Sequence, residues 1–155
     1  MNEVMKLAIE KARETMNKNY GGPFGAAIID ANGKVVAVSS NSVLRDNDPT
    51  AHAEVNAIRE ACKALETYDL KDYVLYATGY PCPMCLAAII WANIKKVYFG
   101  CRPEDAEKIG FRDDFIYRFI NNNREDKDVL EILELDRDEC LKLFDEYSEN
   151  NKIIY

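Results

Sequence analysis

The chain has 155 residues, 48% of them hydrophobic, with five cysteines and one histidine. That length suits one compact domain with its own core, and no apolar run approaches the ~20 residues of a membrane span. A formal charge of -7 comes without a dense Lys/Arg cluster, so the basic face that drives polyanion binding is missing, and a small-molecule substrate is favoured over tRNA or DNA.

The start, Met1-Asn2-Glu3-Val4-Met5-Lys6, lacks a basic segment followed by an apolar one. No signal peptide is read, and the expected compartment is the cytoplasm. There, five cysteines favour thiols and metal over disulfides. Apolar side chains at Val4, Leu7, Ala8, Ala12 and Met16 recur at helical period and predict a helix over 3–18, ended by Gly21-Gly22-Pro23. Residues 24–29 and 34–39 read as strands joined around Asn32-Gly33, a hairpin turn signal. Residues 41–50 form a polar loop, with Asp48 or Thr50 placed to cap a helix over about 51–65. A short strand at 73–77 and a loop at 78–81 precede a helix over 82–92 that opens at Cys82. A fourth strand is read at 96–100, then a helix over 103–110 with Pro in its first turn and Gly past its end. Residues 113–120 form a short helix and 129–135 a fifth strand; Asp136 caps a last helix to about Asn150. Strands separated by helices imply crossovers and a largely parallel sheet covered on both faces. The expected fold is one α/β domain over 1–155, a three-layer α/β/α sandwich.

The lone histidine stands in Ala51-His52-Ala53-Glu54, and thirty residues on comes Pro81-Cys82-Pro83-Met84-Cys85. Both motifs fall at predicted helix starts. Positions three apart on a helix share a face, so the two sulfurs can address one ion. His52, Cys82 and Cys85 make three zinc ligands, which leaves one tetrahedral position for water. Helix N-termini around the ion favour thiolate over thiol. A C-x-x-C pair alone also serves as a redox centre or half a structural zinc site, and Cys62, Cys101 or Cys140 could complete one. Those three otherwise read as small buried hydrophobes. Glu54 discriminates, because a closed structural site has no use for a neighbouring carboxylate.

An H-x-E followed by P-C-x-x-C resembles the zinc-dependent base deaminases. The chain is similar to the cytidine-deaminase-like superfamily, and more narrowly to the bacterial guanine deaminases. The likeness runs through Gly21-Gly22-Pro23-Phe24-Gly25-Ala26, Asn47-Asp48-Pro49-Thr50-Ala51-His52-Ala53-Glu54, Pro81-Cys82-Pro83-Met84-Cys85-Leu86 and Gly110-Phe111-x-Asp113-x-Phe115-Ile116-Tyr117, to the terminal Tyr155. It implies a central five-stranded mixed sheet, a Zn2+ cofactor and Glu54 as the catalytic acid–base. The implied reaction is hydrolytic deamination of guanine to xanthine and ammonia. It further implies that Phe24 lines the base, Asn41 and the Ala53 N–H hydrogen-bond it, Asp113 recognises it and Tyr155 covers it. In that branch the C-terminal segment, about 136–155 here, is exchanged between two subunits of a homodimer. Relatives carry Glu immediately before Pro-Cys-x-x-Cys, where this chain has Tyr80. That departure leaves open cytosine, another aminopurine, a nucleoside or tRNA adenosine as substrate. A zinc-stabilised binding module without catalysis is the reading from a different class.

Overall fold

The structure is a computed structural model that describes residues 1–150 and 153–155. The chain forms two compact units, Met1–Asp114 and Phe115–Tyr155.

The first unit opens with α1 (Glu3–Asn17), capped by Asn2, whose side chain accepts from the Met5 N–H. Strands β1 (Gly25–Ile29) and β2 (Val35–Ser40) form the expected hairpin. Asp30 builds its turn, accepting from the Asn32 and Lys34 N–H groups at 2.9 Å each. Gly33 takes φ +83°, a conformation glycine reaches without steric cost. The polar loop after β2 contains a single helical turn, α2 (Val43–Asp46). Then come α3 (Ala53–Leu65), β3 (Val74–Gly79), α4 (Pro83–Trp91), β4 (Lys96–Cys101) and α5 (Pro103–Lys108). The start of α6 (Asp114–Asn121) marks the boundary between the units.

Among the described residues the sheet is four-stranded and mixed, in the order β2-β1-β3-β4. β1 pairs antiparallel with both β2 and β3, and only β3 and β4 run parallel. The sheet is therefore less parallel than the alternation of strands and helices suggests. The hairpin sets the first pair, and α3 returns the chain antiparallel beside β1.

The two sheet faces carry different partners. A Cβ on Gly25 would run into the Ala8 carbonyl and lie 3.2 Å from the Ala12 Cβ, so α1 rests directly on that face. The neighbouring residues Ala26 and Ile28 point the other way and join Ala53, Ala57, Ala61, Leu75, Ala77 and Ile89 in the core. Leu70, Leu75 and Ile28 are fully buried, each worth about 1.5–3 kcal/mol of transfer free energy. The alanine spacing of α3 brings this helix close to the sheet, and that proximity positions the site.

The second unit holds the rest of α6 and α7 (Arg137–Glu149). The fifth strand expected at 129–135 is not formed. Its Val129 and Leu130 N–H groups turn back to the Asp126 carbonyl, and its apolar side chains are exposed. A strand needs a neighbour for its N–H and C=O groups, and no other strand lies in this unit among the described residues. Asp136 does sit at the α7 N-cap, but with φ 51° and no side-chain cap bond. Cys101 and Cys140, read as buried, are exposed; Cys62 is half-buried.

Candidate active site

His52 and Cys82 occupy equivalent places. Each is the N-cap of its helix, with extended backbone at φ -72°, ψ 156° and φ -66°, ψ 169°. Neither Asp48 nor Thr50 caps α3. Asp48 instead accepts from the Thr50 N–H and hydroxyl at 2.8 and 2.7 Å, which closes the loop ahead of His52. An extended N-cap turns its side chain away from the helix barrel. His52 and Glu54 can then flank one point although they are two residues apart. Cys85 lies one turn into α4, buried, below Cys82.

His52 Nδ1 lies 3.5 Å from Cys82 Sγ and 3.6 Å from Cys85 Sγ. The three donor atoms fall within 4.8 Å of one another, the one such group among the described residues. Tetrahedral zinc with ordinary Zn–S and Zn–N bonds separates a nitrogen from a sulfur ligand by about 3.6 Å. The donor set therefore fits zinc in chemistry and in spacing. None of Cys62, Cys101 and Cys140 belongs to the group.

The electrostatics agree. The Cys82 thiol is held well below its ordinary value, first by the neighbouring Cys85 thiol and then by the His52 ring. Cys85 is pushed up by the neighbouring Cys82 sulfur and by burial. His52 is drawn up chiefly by its bond to Cys82. A divalent cation bound to the two sulfurs would displace their protons.

Glu54 is 8% exposed, and the Cys85 thiol donates to its Oε2 at 3.4 Å. Burial raises its pKa above the usual carboxylate value. A buried carboxyl beside a metal position is suited to accept a proton and return it. It stands next to the three donors without being one of them.

Phe24 and Asn41 are joined at the ends of β1 and β2, where the Asn41 N–H donates to the Phe24 carbonyl at 2.9 Å. The Phe24 ring meets Phe111 edge-on at 5.0 Å and 86°. Gly79 lies alongside it, where an added Cβ would stand 3.6 Å from the ring. Asn41 is buried, and its Oδ1 accepts from the Gly22 and Val43 N–H groups at 3.3 and 3.2 Å. That pins the amide and leaves its NH2 as the remaining donor. Ala53 is the first residue of α3, so its N–H has no acceptor within the helix. Asp113 is raised by burial first and then by the nearby Cys82 charge.

Tyr80 continues the ladder, its N–H donating to the Cys101 carbonyl, while its ring lies edge-on to Phe99 at 5.0 Å. It is 42% exposed. Tyr155 belongs to the second unit and is also exposed. Two residues escaped sequence reasoning. Phe111 stood inside a quoted stretch without a role, although an aromatic beside Gly110 was the available signal. Asn56 gave no signal at all.

Residues 1–101 match the family described as the cytidine and deoxycytidylate deaminase zinc-binding region. The guanine deaminase of Bacillus subtilis (strain 168) is 47% identical over 125 residues, 81% of this chain and 80% of that protein. An X-ray structure of guanine deaminase from Bacillus subtilis superposes with a TM-score of 0.90 at 42% identity, covering 100% of this chain and 99% of that one. A tRNA-specific adenosine deaminase of Buchnera aphidicola subsp. Schizaphis graminum is 36% identical over 149 residues, 96% of this chain and 93% of that protein. A match that runs through His52, Glu54, Cys82 and Cys85, together with these relatives, means that the chain belongs to the cytidine and deoxycytidylate deaminase family of zinc-binding proteins.

Proposed function

We propose that this chain is a hydrolytic nucleobase deaminase that converts guanine to xanthine and ammonia. The observation that carries the reading is the buried carboxyl of Glu54, its Oε2 3.4 Å from Cys85 Sγ, beside a three-donor set. His52, Cys82 and Cys85 would hold the zinc, which when bound would supply an acidified water.

Glu54 takes a proton from the attacking water as the water oxygen bonds the amino-bearing carbon, and passes that proton to the adjacent ring nitrogen. It then takes the proton of the new hydroxyl and hands it to the amine, so that the carbon–nitrogen bond breaks, ammonia leaves and a carbonyl remains. Phe24 stacks on the base; the Asn41 NH2 and the Ala53 N–H bond its edge. Asp113 receives the donor edge of guanine. The first-turn N–H groups of α4 steady developing negative charge, as oxyanion donors do. The similarity to Bacillus guanine deaminase supports guanine as the substrate.

Similarity to tRNA adenosine deaminases favours a second reading, tRNA adenosine as substrate; the charge of -7 argues against it. Ammonia release should be highest from guanine among guanine, cytosine, adenine, guanosine and cytidine, with no tRNA shift in a low-salt gel. A higher rate on another base would overturn the guanine assignment, and a shifted tRNA band the second point.

With α1 on one sheet face and α3 and α4 on the other, the first unit supports the three-layer α/β/α build. Among the described residues no helix is long and apolar enough to cross a membrane, and the reading carries a cytoplasmic location. The second unit exposes Leu133, Leu135, Leu143, Phe144, Ile153, Ile154 and Tyr155. That much apolar surface supports exchange of the segment 136–155 between two subunits of a homodimer, with Tyr155 completing the partner's pocket. Light scattering should give twice the 17.7 kDa chain mass; a single-chain mass at micromolar concentration would sink the exchange.

A further inference from the structure

We infer that Asn56 is a positioning residue that clamps the Asn41 segment to the His52 segment, so that both act on one bound base. The inference rests on the deaminase reading above. Asn56 lies one turn past His52 and donates its backbone N–H to the His52 carbonyl at 2.9 Å. Its Nδ2 donates to the Ser40 carbonyl at 2.9 Å, the Ser42 Oγ at 2.9 Å and the Ala51 carbonyl at 3.3 Å. Two of these partners only accept, which fixes the amide with its nitrogen inward.

The three acceptors bracket the site. Ser40 and Ser42 flank Asn41, and Ala51 precedes His52. The Ser42 N–H closes the same ring by donating to the Ala51 carbonyl at 3.0 Å. Ser40, Asn41, Ser42 and Ala51 are all buried, and the half-buried Asn56 is the side chain that joins them. The amide is needed to gather those oxygens. A bound metal would hold His52, whereas Asn41 depends on its buried packing and hydrogen bonds. Loss of the clamp therefore shows in binding of the base.

The test uses the full zinc-loaded chain and steady-state ammonia release from guanine. Asn56→Leu should keep one zinc per chain and its kcat within about twofold, with KM raised about tenfold, the scale of one lost hydrogen bond to a buried group. Asn41→Ala combined with Asn56→Leu should raise KM no further than Asn41→Ala alone, because the clamp acts through Asn41. A parent-like KM in Asn56→Leu, or losses that multiply in the double variant, overturns the inference. Should Asn56→Leu fail to fold, Ser42→Ala removes one acceptor and must give a smaller rise of the same kind, equally non-additive; a parent-like KM there overturns the inference too. A parent chain that releases no ammonia from any base overturns the deaminase reading and the inference with it, whereas an active parent with additive losses overturns the inference alone.

Discussion

Glu54→Gln is expected to keep its zinc and to lose at least ~10²-fold in kcat, the loss typical of a missing acid–base group. The amide has the shape of the carboxyl and no proton to exchange. Glu54 stands beside the donor triangle, so the metal has no reason to leave. Its carboxyl is buried and raised in pKa by that burial, the condition under which one group serves as base and then as acid. A neutral amide also removes the cost of burying a charge, so the melting temperature should hold or rise. The checks are kcat with guanine, zinc per chain and the thermal midpoint. A near-parent rate would remove Glu54 from proton transfer.

Cys82→Ala is expected to abolish both metal binding and activity. It removes the sulfur 3.5 Å from His52 Nδ1, leaving two donors of three. Metal affinity and folding are linked, because the unfolded chain does not present the site. In the parent, zinc at ~1,000 times its Kd adds about 4 kcal/mol, which raises the melting temperature by roughly 10 °C for a chain of this size. The variant should show no such rise, and chelation should bring the parent down to it. One zinc per chain in Cys82→Ala, measured by atomic absorption, would show that this sulfur is not a ligand.

The elements that were readable in the sequence are those whose signal is local. The helical period of Val4, Leu7, Ala8, Ala12 and Met16 fell on α1, and Asn32-Gly33 on the β1–β2 turn. The strand expected at 129–135 failed because a run rich in apolar residues does not supply a partner for the backbone. The cap expected of Asp48 or Thr50 failed because Asp48 closes its own loop onto Thr50, and His52 takes the N-cap position itself.

By itself the sequence determined which residues meet at the candidate site. His52, Glu54, Cys82 and Cys85 stand at short spacings, which a helix start converts directly into proximity. Tertiary structure decided the mixed order of the sheet, the Phe24–Phe111 wall, the exposed Tyr80 ring on Phe99 and the Asn56 hub. These join residues far apart in the chain, and such contacts are selected by close packing and buried hydrogen bonding, which no local pattern encodes.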